Sequence, residues 1–443
     1  MRLALLAVLA AVGLCTRMPL WADSGSEAPD RPLSLDECIA IALARSPSVS
    51  RAEQQVRSSE AALKGSISSY YPSAVLVGTR GRTGGTSFLD TSAGTVPFSI
   101  ATERREAEVV LSQTIWQSGR RETVRSSRHL LAASVAGQNA TRQEVVVSVS
   151  QLYYAALAAE ELVAVAKANL TAAQQHERLV RARSEVGESP PVDVIYAEAD
   201  VAQAEFSVLQ SENDAGLAKA RLKSEMGVAP THRLQLVRAE VGAGETPPSL
   251  EGALAVAGAH RPELAEAEAS VQAAREQLRV AKLLEWGQLS LSAEYDRGVT
   301  GPKADANSWA IVGTVTAFLF DGGGRAAQVE AAQAQVGSAE AQQRGVTYAV
   351  GLEVESALLD LVTASRSIGA AKRAVASTEA QLAAAQSKYR EGVGIFVEIL
   401  DAEKAVVQAR TDLVRATFDY ATAQVALRRA TGTLALPGGE GLT

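Results

Sequence analysis

Leu35-Asp36-Glu37-Cys38-Ile39-Ala40-Ile41-Ala42, closed by Arg45-Ser46-Pro47, is written a second time as Leu250-Glu251-Gly252-Ala253-Leu254-Ala255-Val256-Ala257 with His260-Arg261-Pro262. The match continues from Val56 and Leu63 onto Val271 and Leu278. Further along, Ile115-Trp116-Gln117-Ser118-Gly119 with Arg121 returns as Leu319-Phe320-Asp321-Gly322-Gly323 with Arg325. Gly187 then falls on Gly392, Ala197-Glu198 on Ala402-Glu403, and Gly227 on Gly432. Repeats in the same order over so long a stretch mean that one unit of roughly 200 residues occurs twice. The first copy covers 33–243 and the second 249–432, with 433–443 left as a flexible tail.

Each copy has the same internal plan. A first helix is expected at 34–66 and again at 249–284. Two strand-like stretches follow, at about 68–82 and 104–116, then at about 287–299 and 307–320. Leu289, Leu291, Ala293 and Tyr295 alternate with Ser290, Ser292, Glu294 and Asp296, the period of two that a half-buried strand requires. Val109, Leu111 and Ile115 share a face with Gln113, and Trp309, Ile311, Val315 and Leu319 form a similar face. The Gly-, Ser- and Thr-rich segments 81–102 and 300–306 read as loops. Long helical hairpins are expected to complete the copies at about 119–230 and 324–432.

The hairpins carry a specific period. Val145, Val149, Leu152, Ala156, Ala159, Val163, Ala166, Leu170 and Ala173 step alternately by four and three. Val350, Val354, Ala357, Leu361, Ala364, Ile368, Ala371, Val375 and Thr378 repeat that rhythm in the second copy. A sustained repeat of about 3.5 residues means paired, left-handed supercoiled helices. The 14 prolines avoid 98–189 and 303–436, leaving these helices uninterrupted. Alanine, 82 of the 443 residues, lets their backbones pack closely.

Composition narrows the function. Leu3 to Cys15, preceded by Arg2, is an apolar stretch too short to span a bilayer and reads as an export signal. The signal peptide is expected to occupy 1–28, with cleavage after Ala22, Ser24 or Ala28. Leu14 is bulky where a lipidated Cys15 needs a small neighbour, so lipidation is set aside. Cys38 is then the single cysteine of the mature chain, with no disulfide partner. No run of about 18 apolar residues marks a membrane helix. A net charge of −7 without basic clusters along the chain argues against nucleic acid as a partner. The histidines His129, His176, His232 and His260 lack metal-ligand spacing, and no cofactor motif is present. Without a nucleophile elbow, Walker motif, H-E-x-x-H or paired cysteines, no enzyme is expected.

Four strands cannot close a barrel, and open edges invite aggregation. Strands from several identical chains can close one, and a half-apolar, half-polar strand suits a wall with lipid outside and water inside. A chain of this kind points to a conduit. A periplasmic coiled-coil structural or adaptor protein without a channel is the alternative. An adaptor, however, shows one hairpin between β halves, whereas this chain has two hairpins with strand pairs ahead of them.

The duplicated layout resembles the TolC family of outer-membrane efflux proteins. The features that carry the resemblance are the helix-opening block with its Ser-Pro or Arg-Pro, the strand exits Trp116-Gln117-Ser118-Gly119 and Phe320-Asp321-Gly322-Gly323, and the segment Tyr389-Arg390-Glu391-Gly392-Val393-Gly394-Ile395-Phe396-Val397-Glu398-Ile399-Leu400-Asp401-Ala402. The resemblance implies an α+β membrane protein. Four transmembrane strands per chain would form a shared 12-stranded barrel in a homotrimer, continued by an antiparallel α-helical coiled-coil tunnel in the periplasm. It also implies a periplasmic membrane-fusion adaptor, an inner-membrane pump of the resistance-nodulation-division or ABC type, and surrounding outer-membrane lipid.

The same resemblance assigns site residues. Glu398 and Asp401, three apart on one helix face, would line the periplasmic gate; the first copy has Asp193 and Tyr196 at the matching positions, so only one acid repeats. The simpler reading is that acids in a first turn stabilise the helix dipole. Val186, Gly187, Glu188, Glu391, Gly392 and Val393 form the hairpin tips and would contact the adaptor, although a tight turn needs glycine in any case. Many relatives carry an arginine where this chain has Gly394, so a latch through that position is not expected. Gly119, Gly322, Gly323 and Gly324 read as strand-to-helix turns rather than a phosphate nest, since no G-x-G-x-x-G or Lys-Ser/Thr ending accompanies them.

Overall fold

The computed structural model describes residues 31–92, 94–238, 247–300 and 304–434. The export signal and most of the tail lie outside the described residues. The element order helix-helix-strand-strand-helix-helix occurs twice. In the first copy these are α1 (Leu35–Arg45), α2 (Pro47–Ser68), β1 (Ser73–Thr91), β2 (Gly94–Gln117), α3 (Arg120–Glu185) and α4 (Pro191–Glu225). In the second they are α5 (Leu250–His260), α6 (Pro262–Leu283), β3 (Gln288–Thr300), β4 (Ala304–Thr316), α7 (Gly324–Arg390) and α8 (Phe396–Ala430).

The single opening helix expected in each copy is in fact two. Ser46 and Arg261 adopt extended backbone before Pro47 and Pro262, because the proline ring excludes the helical region from the residue ahead of it. Ser34 opens α1 with a capping box, its Oγ accepting from Glu37 N while the Glu37 carboxylate accepts from Ser34 N. The second copy keeps only half of this device, since Gly252 stands where Glu37 would and only its N–H reaches Ser249 Oγ.

The chain divides into two compact units. One contains Thr141–His260 and the chain from Leu352, together with the segment up to Ser50. Its core joins Cys38, Ile39 and Ala42 of α1 to Val145, Val149, Tyr153 and Leu157 of α3 and to Leu222 and Met226 at the end of α4. Tyr153 Oη donates 2.6 Å to the Val237 carbonyl, which satisfies a hydroxyl that this core would otherwise strand. Cys38 is fully buried and unpaired, and burial pushes its thiol up to about 12.

The other unit, Arg51–Ala140 with Arg261–Gly351, holds the sheet. Its four strands form an antiparallel meander in the order β1-β2-β3-β4, leaving β1 and β4 as edges. The strands of the first copy are longer than the composition suggests. Residues read as loop continue the β1–β2 ladder as far as Thr91 opposite Gly94, because paired N–H and C=O groups outweigh the weak strand preference of Gly and Ser. β4 ends at Thr316 and not near 320, so Phe318, Leu319 and Phe320 lie beyond the sheet and are exposed. A β-bulge between Thr114 and Trp116 sets Trp116, not Ile115, opposite Leu289.

Register sorts the side chains onto two faces. Leu76, Val109, Tyr295 and Trp309 form one cross-strand row, and Ala74, Leu111, Ala293 and Ile311 the next. Trp116, Leu289 and Val315 continue this apolar face toward the helices. The opposite face carries Glu106, Glu108, Ser112, Ser292, Glu294 and Asp296. Along β2 the residues 105, 107 and 109 are exposed while 106, 108 and 110 are half-buried, so in the middle of the sheet the apolar face is the more open of the two.

Candidate functional site

The two helical hairpins turn in the same way. Gly187 and Gly392 follow α3 and α7 with φ of 80° and 77°, a left-handed conformation that favours glycine. Glu188 N donates back to Arg183 O at 2.9 Å, and Val393 N to Lys388 O at 3.0 Å. These bonds satisfy carbonyls that a helix end leaves open. Val186 and Val393 are each more than two-thirds exposed (71% and 77%), and Glu188 and Glu391 are exposed as well.

Behind the turns, both hairpins share one small core of Val180, Ala197, Tyr389, Phe396, Ile399 and Leu400. The Tyr389 and Phe396 rings lie 5.8 Å apart. The Arg183 guanidinium sits 5.0 Å from the Tyr389 ring centroid and donates 3.2 Å to the Tyr389 carbonyl, while facing Glu188 at 3.5 Å. Ser189 Oγ lies 3.2 Å from Tyr389 Oη and donates 2.9 Å to Asp193 Oδ2. Asp193 is thereby tied into the packing of the tips.

Glu398 and Asp401 are placed differently. Ile399 and Leu400 between them are buried, while both carboxylates are exposed on the outer side of α8. Glu398 and Asp401 are thus both exposed three residues apart on α8, while Asp193 accepts from Ser189 at the other tip. Gly394 is constrained by close approach. A Cβ there would lie 3.0 Å from Lys388 Cβ and 3.1 Å from Tyr389 N, so an arginine at this position would need the turn to give by a few tenths of an ångström.

Sequence reasoning missed a buried charged group above the tips. Glu403 of α8 is 6% exposed, and its Oε1 lies 2.8 Å from Nε2 of His176 on α3, an ionic contact rather than an aligned hydrogen bond. The Glu403 carboxylate raises the His176 pKa against the opposing effect of burial. Asp200 of α4 is also raised, chiefly by burial and then by Glu403, with Lys404 and His176 acting the other way. One signal was available: Glu403 falls on the buried stripe of Ile399, Val406 and Ala409, where a charge needs a partner. Its repeat counterpart Glu198 is exposed and pairs with Arg181 at 2.8 Å.

At the strand-to-helix turns, Gly119, Gly322 and Gly323 have positive φ, whereas Gly324 already begins α7. The Asp321 carboxylate accepts from Gly323 N at 3.2 Å and from Arg325 N at 2.8 Å, which holds its pKa below the usual range. The N–H groups that would cradle a phosphate are occupied by Asp321. Among the described residues no group of His, Cys, Asp and Glu is arranged to hold a metal ion.

Comparison with known proteins agrees with this architecture. The chain is 25% identical over 408 residues to Protein CyaE of Bordetella pertussis, covering 91% of this chain and 84% of that protein. The solved structure of the outer membrane protein VceC from Vibrio cholerae superposes with a TM-score of 0.74 at 20% identity, covering 90% of this chain and 96% of that one. CusC superposes with a TM-score of 0.78 at 18% identity, covering 94% and 96%. A family profile described as outer membrane efflux protein matches residues 38–228 and 253–433. The chain belongs to this TolC-type family of outer membrane efflux proteins, and it is a protein of the outer membrane with its helices in the periplasm.

Proposed function

We propose that the protein is a passive exit duct for efflux or secretion, formed by three copies of the chain. The observation that carries this reading is the four-stranded sheet with two open edges, one apolar outward face and one polar inward face. In an even-numbered meander the first and last strands run in opposite directions, so β4 of one copy can pair antiparallel with β1 of the next. Three sheets then close a 12-stranded barrel and remove every edge. The apolar rows are bounded at the helix end by Trp116 and Trp286 and at the other by Tyr295 and Trp309, the aromatic girdles of a barrel in lipid. The polar face, with Glu106, Glu108, Glu294 and Asp296, becomes the wall of a channel that favours cations.

On this reading the helical hairpins continue the barrel as a periplasmic tunnel. Glu398 and Asp401 ring its narrow entrance, and the exposed Val186, Glu188, Glu391 and Val393 around Gly187 and Gly392 meet a periplasmic adaptor. Energy comes from an inner-membrane pump, and the duct performs no chemistry of its own. Purified protein in a planar bilayer tests the proposal: cation-selective conductance from a detergent-solubilised trimer is expected. Release from washed membranes without detergent, or a monomer by light scattering in detergent, overturns it.

A further inference from the structure

The two hairpins of the sheet pair in the same register. Ser73 faces Ser112 at the open end of β1–β2, and their repeat counterparts Gln288 and Thr316 face each other in β3–β4. The junction between the hairpins reaches further along the chain. Gln113 of β2 lies opposite Leu291 of β3 and Thr114 opposite Ser290; past the bulged Ile115, Trp116 faces Leu289 and Gln117 faces Gln288. Pairing with β1 stops at Ser112, so among the described residues β3 alone holds 113–117 as strand. The counterpart of this stretch is Ala317–Asp321. Among the described residues no strand pairs with it: β4 ends at Thr316, and Leu319 and Phe320 are 95% and 88% exposed. A stretch that is strand in one copy and open in the other thus differs by the neighbour it lacks.

The opposite edge of the sheet fits that neighbour. Val75, Leu76 and Val77 are exposed on β1. Neither edge carries the devices that keep edges apart: Ser73–Thr79 and Trp309–Thr316 contain no charge and no proline, and neither hairpin ladder has a bulge. The β2–β3 junction already shows how the second strand of this repeat meets the first strand of the next. We infer that Ala317–Phe320 is an unfinished end of β4, which becomes strand when β1 of a second copy pairs with it in the register of β2–β3. Val315 then lies opposite Gly78 of the second copy, Ala317 opposite Leu76 and Phe318 opposite Val75. Leu319 takes the place of the bulged Ile115, and Phe320 takes the position of Trp116, opposite Ala74. Phe318 and Val75 cover one another on one face and Ala317 and Leu76 on the other, which removes exposed apolar surface from both edges. This rests on the reading of three copies sharing one barrel, and adds to it a register and a folding step.

Disulfide trapping in the detergent-solubilised full chain tests the register. V315C/G78C should give covalent dimers and trimers on a denaturing gel after oxidation, and either substitution alone should give none. V315C/L76C and V315C/R80C, each one pleat out of register, should link roughly tenfold less, because diagonal side chains stand too far apart for a disulfide. Equal linking by a shifted pair overturns the inference. So does a dimer from V315C alone, which would mean that β4 pairs with β4. Hydrogen exchange on the wild-type trimer tests the folding step: the peptide covering 316–321 should be protected to within about threefold of the one covering 112–117. Free exchange in 316–321 beside a protected 112–117 overturns it. Light scattering separates this result from the parent reading. A trimer that forms no V315C–G78C link overturns the register and leaves the duct standing, whereas a monomer overturns both. Should V315C/G78C fail to assemble, exchange on the wild type decides.

Discussion

The two hairpin tips have the same backbone and opposite chemistry. Gly187 and Gly392 turn with nearly the same φ and the same returning hydrogen bonds. At matched positions, however, Ser189 and Asp193 tie the first tip to Tyr389, whereas Gly394 and Glu398 leave the second without that bond. Glu198 pairs with Arg181 on the surface, while its counterpart Glu403 is buried against His176. At the tips themselves, the first hairpin holds its acid Asp193 in a hydrogen bond and the second leaves Glu398 exposed. Duplication preserved the helix geometry, which depends on small residues and glycine, and left single polar positions free to take different roles.

Truncating the shared anchor should erase the distinction. Tyr389→Ala removes a buried ring, its contact with Phe396 and the seat of Arg183, and should cost about 3–5 kcal/mol of local stability. Hydrogen exchange should report this in both tips; loss of protection in α7 and α8 alone would mean that the first hairpin stands by itself. Next in size is the buried charge. His176 and Asp200 both have raised pKa values, so each contributes stability that is full below its unfolded pKa and declines as pH rises through the folded one. Exchange protection above the tips should therefore fall as pH rises, from about pH 4 upward through Asp200 and from about pH 6.5 upward through His176. His176→Asn should flatten that dependence; an unchanged profile would assign it elsewhere.

Gly394→Ala places a Cβ against Lys388 and Tyr389 and should cost about 1–3 kcal/mol by thermal unfolding, whereas Ser189→Ala at the matched position should cost about 1 kcal/mol. Similar losses at both would show that the two turns are equally tight. The smallest stability effect is expected at the exposed acids. Glu398→Gln with Asp401→Asn should leave stability within about 0.5 kcal/mol, because neither carboxylate is buried. The same variant should lower cation preference in bilayer conductance, while Asp193→Asn alters stability more than selectivity. The reverse outcome would make Asp193 the gate residue.

Much of this was legible in the sequence because it depends on periodicity. The alternation of Leu289, Leu291, Ala293 and Tyr295 identified the outward face of β3, and the heptad steps of Val145 to Ala173 identified a buried helix stripe. Reading failed where pairing overrides local preference, as in the Gly- and Ser-rich stretch that β1 and β2 absorb. It failed again at Pro47 and Pro262, where a helix break was written plainly in each copy and passed over. His176 and Glu403 stayed hidden because residues distant in sequence meet only when α3 and α8 pack.

The amino-acid order by itself determined the duplication, the helices and the two-sided strands, since each follows from the spacing of neighbours along one chain. Only the tertiary structure decided which charges meet. Arg80, Arg105 and Arg297 are scattered in the sequence and form no basic cluster there, yet strand register brings them to one face. Periodicity is a local property of the backbone, whereas the partner of a charge is fixed by which distant segments the packing brings together.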